Sequence, residues 1–359
     1  MSEGYGFTRE LRYNGRTSYL HMFSDMLTVP SEKEIAAALK RLLITPPAIA
    51  FLTGNGERRL GGNGDKDYKG IFTGKEVRDA LINQGFDIDT INLQRQAIPD
   101  SLAALVIADP KIPFNKTDLQ KIKAYVDRGG NLLVCGEPSR EQNIQPVMNM
   151  LGVQLIPGTI ASHSNDYEPD LLLSHLPADA ARLSPNLNML EKNGANIIFP
   201  GVAGLKYRDT VGYETRSFFV TNTRNSWNTT GNLDPEAHNL TINTMAGDDP
   251  GPFPIALTLT RKADHKEQRI MVVGDADFMA TEGMLKNVPK NGNMNFVTAL
   301  FSWFSYGQFP VDVSRGPAAD DTIKVTKSQL SMLKWIFLGL IPGIILAGGA
   351  ILLIRRKRN

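Results

Sequence analysis

Cysteine and an excess of charge of either sign are both nearly absent from this chain of 359 residues. The one cysteine, Cys135, excludes an intramolecular disulfide and a zinc site built from cysteines. The net charge is only +2, and five of the cations, Lys334 and the run at 355–358, lie near the C-terminal end. The rest of the chain is therefore mildly acidic and has no electrostatic footprint for nucleic acid, so we expect no nucleic-acid partner.

Nucleotide-binding motifs are also missing. Neither the dinucleotide motif G-x-G-x-x-G nor the P-loop motif G-x-x-x-x-G-K-[ST] occurs in the chain, and we expect no bound cofactor. A slightly negative mean hydropathy excludes a polytopic membrane protein. The content of 42% apolar and 21% charged residues is typical of a globular chain.

The order of strand and helix signals predicts an α/β fold. Residues 48–53 (AIAFLT) form a continuous apolar run, typical of a strand buried on both faces. Strand and helix patterns then alternate, which favours a doubly wound, mostly parallel sheet. The predicted strands are 48–53, 86–93, 103–108, 131–135, 196–200, 217–221, 255–259 and 269–273, and the predicted helices include 73–84, 116–128 and 294–305.

A further helix is predicted to begin after Ser31. The segment Ser-Glu-Lys-Glu at 31–34 has the pattern of a capping box, and Pro46 and Pro47 end the helix. Its apolar residues at helical spacing predict a buried stripe, formed by Ile35, Leu39, Leu42 and Leu43.

A membrane-spanning helix is predicted near the C-terminus. Residues 335–354 (WIFLGLIPGIILAGGAILLI) carry no charge, and their length suits about 30 Å of hydrocarbon. The alternative, a buried core helix, would be unusually long and would end in the four cations at 355–358. By the positive-inside rule the basic tail is cytoplasmic, and residues 1–330 lie outside, in the periplasm of a Gram-negative cell. Gly339 and Gly343 offer a small-residue face for packing against another membrane helix.

The N-terminal residues 1–30 contain no apolar signal region. Asn14-Gly15 within a loosely alternating segment indicates a β-hairpin. Either the chain is the C-terminal piece of a longer protein or it inserts by its tail alone, and we favour the first. The expected organisation is a remnant of a preceding β-region (1–30), an α/β domain (31–313), a linker (314–330), and a membrane helix with a basic tail (331–359).

A glycine-rich loop follows the first predicted strand of the sheet, where α/β sheets usually present their ligand crevice. Gly54 and Gly56 allow close approach to the backbone, and Arg58, Arg59 and Lys66 are suited to an anion. The candidate ligand loop is Gly54, Asn55, Gly56, Glu57 and Arg58. The alternative is a flexible turn, which the absence of a complete motif favours.

Cys135 ends another predicted strand, the position at which a nucleophile sits in some α/β enzymes. A working nucleophile needs a sharp turn flanked by small residues and a histidine base. Val134 before it and Glu137-Pro138 after it do not fit that pattern, and none of the five histidines lies in a supporting motif. A buried, inert cysteine is the favoured interpretation, and we predict no catalytic residue.

Two aspartates, Asp275 and Asp277, follow the strand RIMVV. They are two of the ligands that a cation would need, but a hard cation requires more oxygen atoms than this segment supplies. We therefore predict no metal site, and favour an aspartate that caps a turn while Phe278 packs in the core.

Ser226 and Trp227 lie in a polar stretch of the middle region. An exposed tryptophan there would be suited to anchoring a partner. The alternative is a tryptophan half-buried against the edge of a sheet.

Several of these segments, taken in order, resemble the auxiliary component of gliding-motility-type ABC transporters, the "ABC-type uncharacterised transport system" domain. The resemblance extends over about residues 27–359 and rests on order and spacing, since no one motif is specific. It is carried by SEKEIAAALKRL, FLTGNGER, LVIADP, YVDRGGNLLVCGEP, FFVTNTRNSW, GPFPIALTL, RIMVVGDADF and GNMNFVTALFSWF.

The resemblance implies a glutamine-amidotransferase-like or flavodoxin-like domain outside the cytoplasmic membrane, tethered by a C-terminal span. Its implied partners are an ABC-2-type permease, a cytoplasmic ATPase and membrane lipid, in gliding motility or envelope export. We expect a subunit without catalytic activity. Two alternatives stay open: a membrane-anchored hydrolase or amidotransferase that uses Cys135 or the two aspartates, and a binding module that delivers a ligand to the permease.

Overall fold

The computed structural model describes residues 7–23, 25, 29–62, 64–209, 212–234, 240–263, 266–313 and 326–358. The chain divides into two compact units, 1–313 and 314–359. The strands are β1 (Phe7–Tyr13), β2 (Arg16–Met22), β3 (Ala48–Thr53), β4 (Asp87–Asn92), β5 (Leu102–Ala108), β6 (Leu132–Cys135), β7 (Val153–Leu155), β8 (Thr159–Ser162), β9 (Leu171–His175), β10 (Asn196–Pro200), β11 (Leu205–Tyr207), β12 (Glu214–Val220), β13 (Ser226–Thr229), β14 (Pro254–Ala263) and β15 (Lys266–Val273). The α-helices are α1 (Glu32–Leu43), α2 (Lys69–Phe72), α3 (Lys116–Asp127), α4 (Glu141–Met150), α5 (Pro185–Lys192), α6 (Thr281–Leu285), α7 (Asn293–Phe304), α8 (Lys327–Trp335) and α9 (Ile341–Arg358).

A seven-stranded sheet with the order β12-β14-β15-β6-β5-β3-β4 organises the first unit. The five strands from β15 to β4 are parallel to their neighbours, while β14 pairs antiparallel with both β15 and β12. This mixed, mostly parallel sheet confirms the predicted α/β class. If the five parallel strands are numbered by their order in the chain and read from the β4 edge of the sheet, their order is 2-1-3-4-5.

Both faces of this sheet are buried. In β3, Ile49 and Phe51 belong to one apolar cluster, whereas Ala50 and Leu52 belong to the other. Helices α1, α2 and α7 contribute to the first cluster, and α3 and α4 contribute to the second. Burial on both faces explains why the parallel strands have continuous apolar sequences.

The N-terminal segments form the predicted hairpin and capped helix. Strands β1 and β2 pair antiparallel across Asn14 and Gly15, both at positive φ. Ser31 caps α1 and forms the capping box with Glu34. Both predictions are confirmed, because both depend on residues close together in the chain.

Of the predicted apolar stripe of α1, Leu42 is buried as predicted, but the other three residues are not. Ile35, Leu39 and Leu43 are exposed, and the buried face is formed by Ala37, Ala38, Leu42 and Glu34 instead. Glu34 can be buried because Arg78 donates two hydrogen bonds to its carboxylate, at 2.7 and 2.8 Å. The buried face is therefore rotated from the one that hydrophobicity alone selects, and the ion pair allows Glu34 to lie in it.

The predicted helix at 73–84 is also wrong, since this segment consists of turns. Its backbone folds back on α2: the N–H of Leu81 donates to the carbonyl of Ile71, and the N–H of Ile82 donates to that of Phe72. The side-chain amide of Asn83 donates to the carbonyl of Val77 and competes with helical bonding.

The second unit is described from residue 326 onward. Helices α8 and α9 are joined by one π-helical stretch, Ile336–Leu340, which ends two residues before Pro342. Together they form the one helix in the described part of the chain that is long and apolar enough to cross a membrane, Ser328–Arg358. Residues 1–6 and most of the predicted linker, 314–325, lie outside the described residues.

Candidate functional site

The candidate site lies at the carboxyl ends of the parallel strands. Arg58 is in the loop after β3, Asp109 directly follows β5, and Glu137 lies two residues after β6. Asp275 and Asp277 lie just after β15. Because neighbouring parallel strands end at the same edge, these five side chains from distant segments come together. We call them the Arg58 cluster.

The guanidinium of Arg58 is the centre of this cluster. Its Nε lies 3.0 Å from Asp109 Oδ2, and its Nη2 lies 3.0 Å from Glu137 Oε1 and 2.8 Å from Asp277 Oδ1. Only 6% of the side chain is exposed. Such a buried cation is tolerated because it is paired and hydrogen-bonded.

Two further cations reach the cluster from the surface. Lys66 Nζ lies 2.9 Å from Asp277 Oδ2, and Arg140 Nη1 donates to Asp109 Oδ1 at 2.6 Å. The buried hydroxyl of Tyr68 donates to the carbonyl of Ala276 at 2.8 Å. These contacts attach the segment after β3 and the start of α4 to the floor of the site.

Asp275 is the most deeply buried acid of the cluster. Its Oδ1 accepts the backbone N–H of Asp277 at 2.5 Å, whereas its Oδ2 has no hydrogen-bond partner in the described parts of the chain. Burial, with Glu137 and Asp277 nearby, raises the pKa of Asp275 well above its ordinary value. Burial and the charge of Asp277 likewise raise the pKa of Glu137 to about 8.

The three acids Glu137, Asp275 and Asp277 each place one oxygen within 4.8 Å of the others. This spacing is suited to a cation. However, the guanidinium of Arg58 already contacts two of these carboxylates, so the protein supplies the cation itself. The sequence analysis considered only the two aspartates as possible cation ligands. The fold brings a third carboxylate, that of Glu137, next to them.

The candidate ligand loop, residues 54–58, is held in place by its neighbours. Gly54 and Gly56 have positive φ values of 122° and 75°, which glycine adopts most readily. The Asn55 carbonyl accepts the backbone N–H groups of residues 111 and 112, and the N–H of Arg58 donates to Ala108. Burial raises the pKa of Glu57. The loop therefore lies pinned against β5, and its role in ligand binding stays a prediction.

An open cavity of about 660 Å³ lies above this loop. Gly54, Gly56, Lys66 and Lys111 are among the residues that line it. The cavity opens at the point between β3 and β5 where the strand order reverses, the position at which open α/β sheets bind ligands.

Phe278, Ser226 and Trp227, which the sequence also singled out, are buried. Phe278 packs against Phe199 and Phe296. Ser226 lies on β13, and Trp227, only 5% exposed, lies opposite Ala161 of β8. The indole is thus part of the interior.

Asp109 and Glu137 were missed as site residues by the sequence analysis. The available signal was their position, because each comes at or just after the end of a buried apolar strand (LVIA-Asp109 and LLVCG-Glu137). Arg140 and Tyr68 had no such signal, since only the packing of their segments brings them to the cluster.

Cys135 lies at the end of β6 beneath the cluster and is completely buried. Burial of the thiol raises its pKa well above the ordinary value, and the charge of the nearby Asp275 is the next largest cause. The three histidines in the described residues lie on β2, after β8 and on β9, and none of these strands borders β6.

We expect Cys135 to react with a thiol reagent at neutral pH at least ~100-fold more slowly in the native chain than in urea. The measurement is the labelling rate of the full chain, followed by intact mass. Because Cys135 is the one cysteine, its label needs no deconvolution. Equal rates in the two states would instead support an enzyme that uses this thiol.

A family model described as an ABC-type uncharacterized transport system matches residues 46–299. No curated protein matches the chain. The matched residues include the whole Arg58 cluster and all seven strands of the main sheet.

The comparison with solved structures gives several matches of low identity. The N-terminal domain of mmIFT52 is 14% identical, with a TM-score of 0.48 over 73% of this chain and 98% of that one. A putative ThuA-like protein from Parabacteroides merdae is 10% identical, with a TM-score of 0.39 over 76% and 94% of the two chains. The exo-β-1,4-mannosidase Op5Man5 from an Opitutaceae bacterium is 12% identical, with a TM-score of 0.32 over 76% and 37%.

Proposed function

Because this chain belongs to the family of ABC-type uncharacterized transport system proteins, and this family indicates an auxiliary component of such a system, we propose that the chain is a non-catalytic, extracytoplasmic subunit. Its proposed partners are an ABC-2-type permease and a cytoplasmic ATPase. The transport system would serve gliding motility or export to the cell envelope.

The observation that best supports a non-catalytic role is that the guanidinium of Arg58 is already paired with carboxylates of the protein. At the edge where an α/β enzyme presents its reactive groups, Arg58 contacts three carboxylates of its own chain. The thiol of Cys135 is buried below them. Neither group is presented to a substrate, which favours a structural and binding role for this edge.

The strand order supports a finer assignment of the fold. The order 2-1-3-4-5 of the five parallel strands is the one found in flavodoxin-like doubly wound sheets. We therefore propose that the first unit belongs to the flavodoxin-like or glutamine-amidotransferase-like class. This assignment describes the scaffold and implies no enzymatic activity.

The apolar helix at Ser328–Arg358 supports anchoring in the cytoplasmic membrane. Four of its five cations lie in the last turn, at 355–358. Such a cluster favours the cytoplasmic side, which would place the α/β unit outside the cytoplasm.

We further propose that the permease packs against Gly339 and Gly343. Glycines spaced by four residues let another helix approach closely in the membrane. Replacing both by leucine (Gly339→Leu, Gly343→Leu) is expected to reduce co-purification of the permease at least ~5-fold, because the added side chains separate the helices. The measurement is affinity purification of the full chain in mild detergent, with quantification of the co-purifying chains.

The matched control is Gly349→Leu, a glycine of the same helix on a different face. It should leave co-purification unchanged. Equal recovery of the permease with all variants would remove the proposed contact. A complete absence of permease and ATPase from the wild-type eluate would contradict the subunit role itself.

A further inference from the structure

The charges in and around the Arg58 cluster do not balance when every acid is ionised. Four carboxyl groups meet there, whereas three cations contact them. The acids are Asp109, Glu137, Asp275 and Asp277, and the cations are Arg58, Lys66 and Arg140. One negative charge is therefore in excess, in a place where an uncompensated charge is costly.

Asp275 is the acid whose negative charge no cation that the structure describes balances. Asp109 contacts Arg58 and Arg140, and Asp277 contacts Arg58 and Lys66. Glu137 contacts Arg58 and accepts the N–H of Ala276 at 3.0 Å. Asp275 contacts no cation among the described residues, and its buried Oδ2 accepts no hydrogen bond there.

We propose that Asp275 is a proton-binding site, which holds one exchangeable proton in the native protein at neutral pH and so neutralises the excess charge of the Arg58 cluster. The proton is taken from solvent and forms an O–H bond on the Asp275 carboxylate. A proton needs no additional space, unlike a metal ion, and Arg58 already fills the gap between Glu137 and Asp277. This inference goes beyond the transport role and does not depend on it.

The environment of Asp275 agrees with this assignment. Burial and neighbouring acids raise its pKa, so the native state binds a proton that the unfolded state has lost. The corresponding stability is fully present below the ordinary pKa of an aspartate and is lost as pH rises through the native value. The titratable and charged groups around it are Arg58, Lys66, Tyr68, Asp109, Cys135, Glu137, Arg140 and Asp277.

The test is the pH dependence of unfolding, measured for the full chain in dodecyl maltoside at constant ionic strength. For the wild type, the proton on Asp275 raises the unfolding equilibrium constant by about tenfold per pH unit above pH 5, and Glu137, whose pKa is raised to about 8, adds its own contribution to the slope. Asp275→Asn, which cannot ionise, is expected to lower this slope by the contribution of one proton, about tenfold per pH unit. Its infrared C=O absorption from protonated carboxylic acids should also be weaker than in the wild type. The matched control Asp100→Asn, at an exposed ion pair with Arg128, should retain both.

Three outcomes would overturn the proposal. The first is an Asp275→Asn variant that is less stable at every pH but has the wild-type slope, which would show a structural role alone. The second is a wild type that is stabilised by NaCl but not by choline chloride, which would indicate a sodium ion in place of the proton. If Asp275→Asn does not fold, Glu137→Gln is measured instead. Removing the adjacent acid should weaken the slope, and an unchanged slope is the third contrary outcome.

Discussion

Replacement of Arg58 by alanine is expected to lower the free energy of unfolding by about 3–5 kcal/mol at neutral pH. The guanidinium is the cation shared by Asp109, Glu137 and Asp277, and its side chain is almost completely buried. Without it, the carboxylates repel one another in a site with little access to water. The measurement is urea unfolding of the full chain, followed by tryptophan fluorescence.

The neighbouring residue Arg59 provides the control for Arg58. Its side chain is 76% exposed and forms an ion pair with Asp67, so Arg59→Ala should cost less than about 1 kcal/mol. The loss in Arg58→Ala should also become smaller as pH falls, because protonation neutralises the abandoned carboxylates. Similar losses for the two arginines would contradict a central role for Arg58.

Substitution of Gly274 by alanine is the second change with a large expected effect. A Cβ at this position would lie 1.9 Å from the backbone oxygen of Ala203. Neither backbone segment can move aside easily, because Ala203 N–H donates to Gly274 O and Gly274 N–H donates to Ile255 O, both at 2.9 Å. We expect a loss of more than about 3 kcal/mol, measured by the same urea unfolding.

Gly61→Ala is the control for this prediction. A Cβ on Gly61 would meet no atom within 4 Å, so the change should alter stability by less than about 0.5 kcal/mol. A wild-type-like unfolding midpoint for Gly274→Ala would mean that residues 202–205 do not approach the sheet as described. Since Gly274 directly precedes Asp275, the same result would call the geometry of the acid cluster into question.

Local patterns in the sequence determined the elements whose stability is decided nearby. The apolar run AIAFLT became β3 with the predicted bounds, because a strand covered on both faces needs apolar residues at every position. The capping box at Ser31 and the turn at Asn14-Gly15 depend on hydrogen bonds and dihedral angles within a few residues. The long uncharged segment before the basic tail is likewise a property of contiguous residues.

Tertiary structure decided which face of α1 is buried and what becomes of residues 73–84. The sequence favoured Ile35, Leu39 and Leu43 as part of the inner face, but the buried face is rotated from them, and the ion pair with Arg78 allows Glu34 to lie in it. That pair joins residues 44 positions apart, and no periodicity reports it. The helical pattern at 73–84 likewise yields to hydrogen bonds with α2.

The Arg58 cluster shows the same limit most clearly. Its members come from the ends of β3, β5, β6 and β15, and Arg58 and Asp277 are more than two hundred residues apart in the chain. The sequence alone identified Arg58, Asp275 and Asp277 as separate candidates, for an anion and for a turn. Only the order of the strands brings them to one edge of the sheet, where the carboxylates form ion pairs with the guanidinium of Arg58. Charge pairing between distant segments depends on their distance in space, which local sequence patterns do not contain.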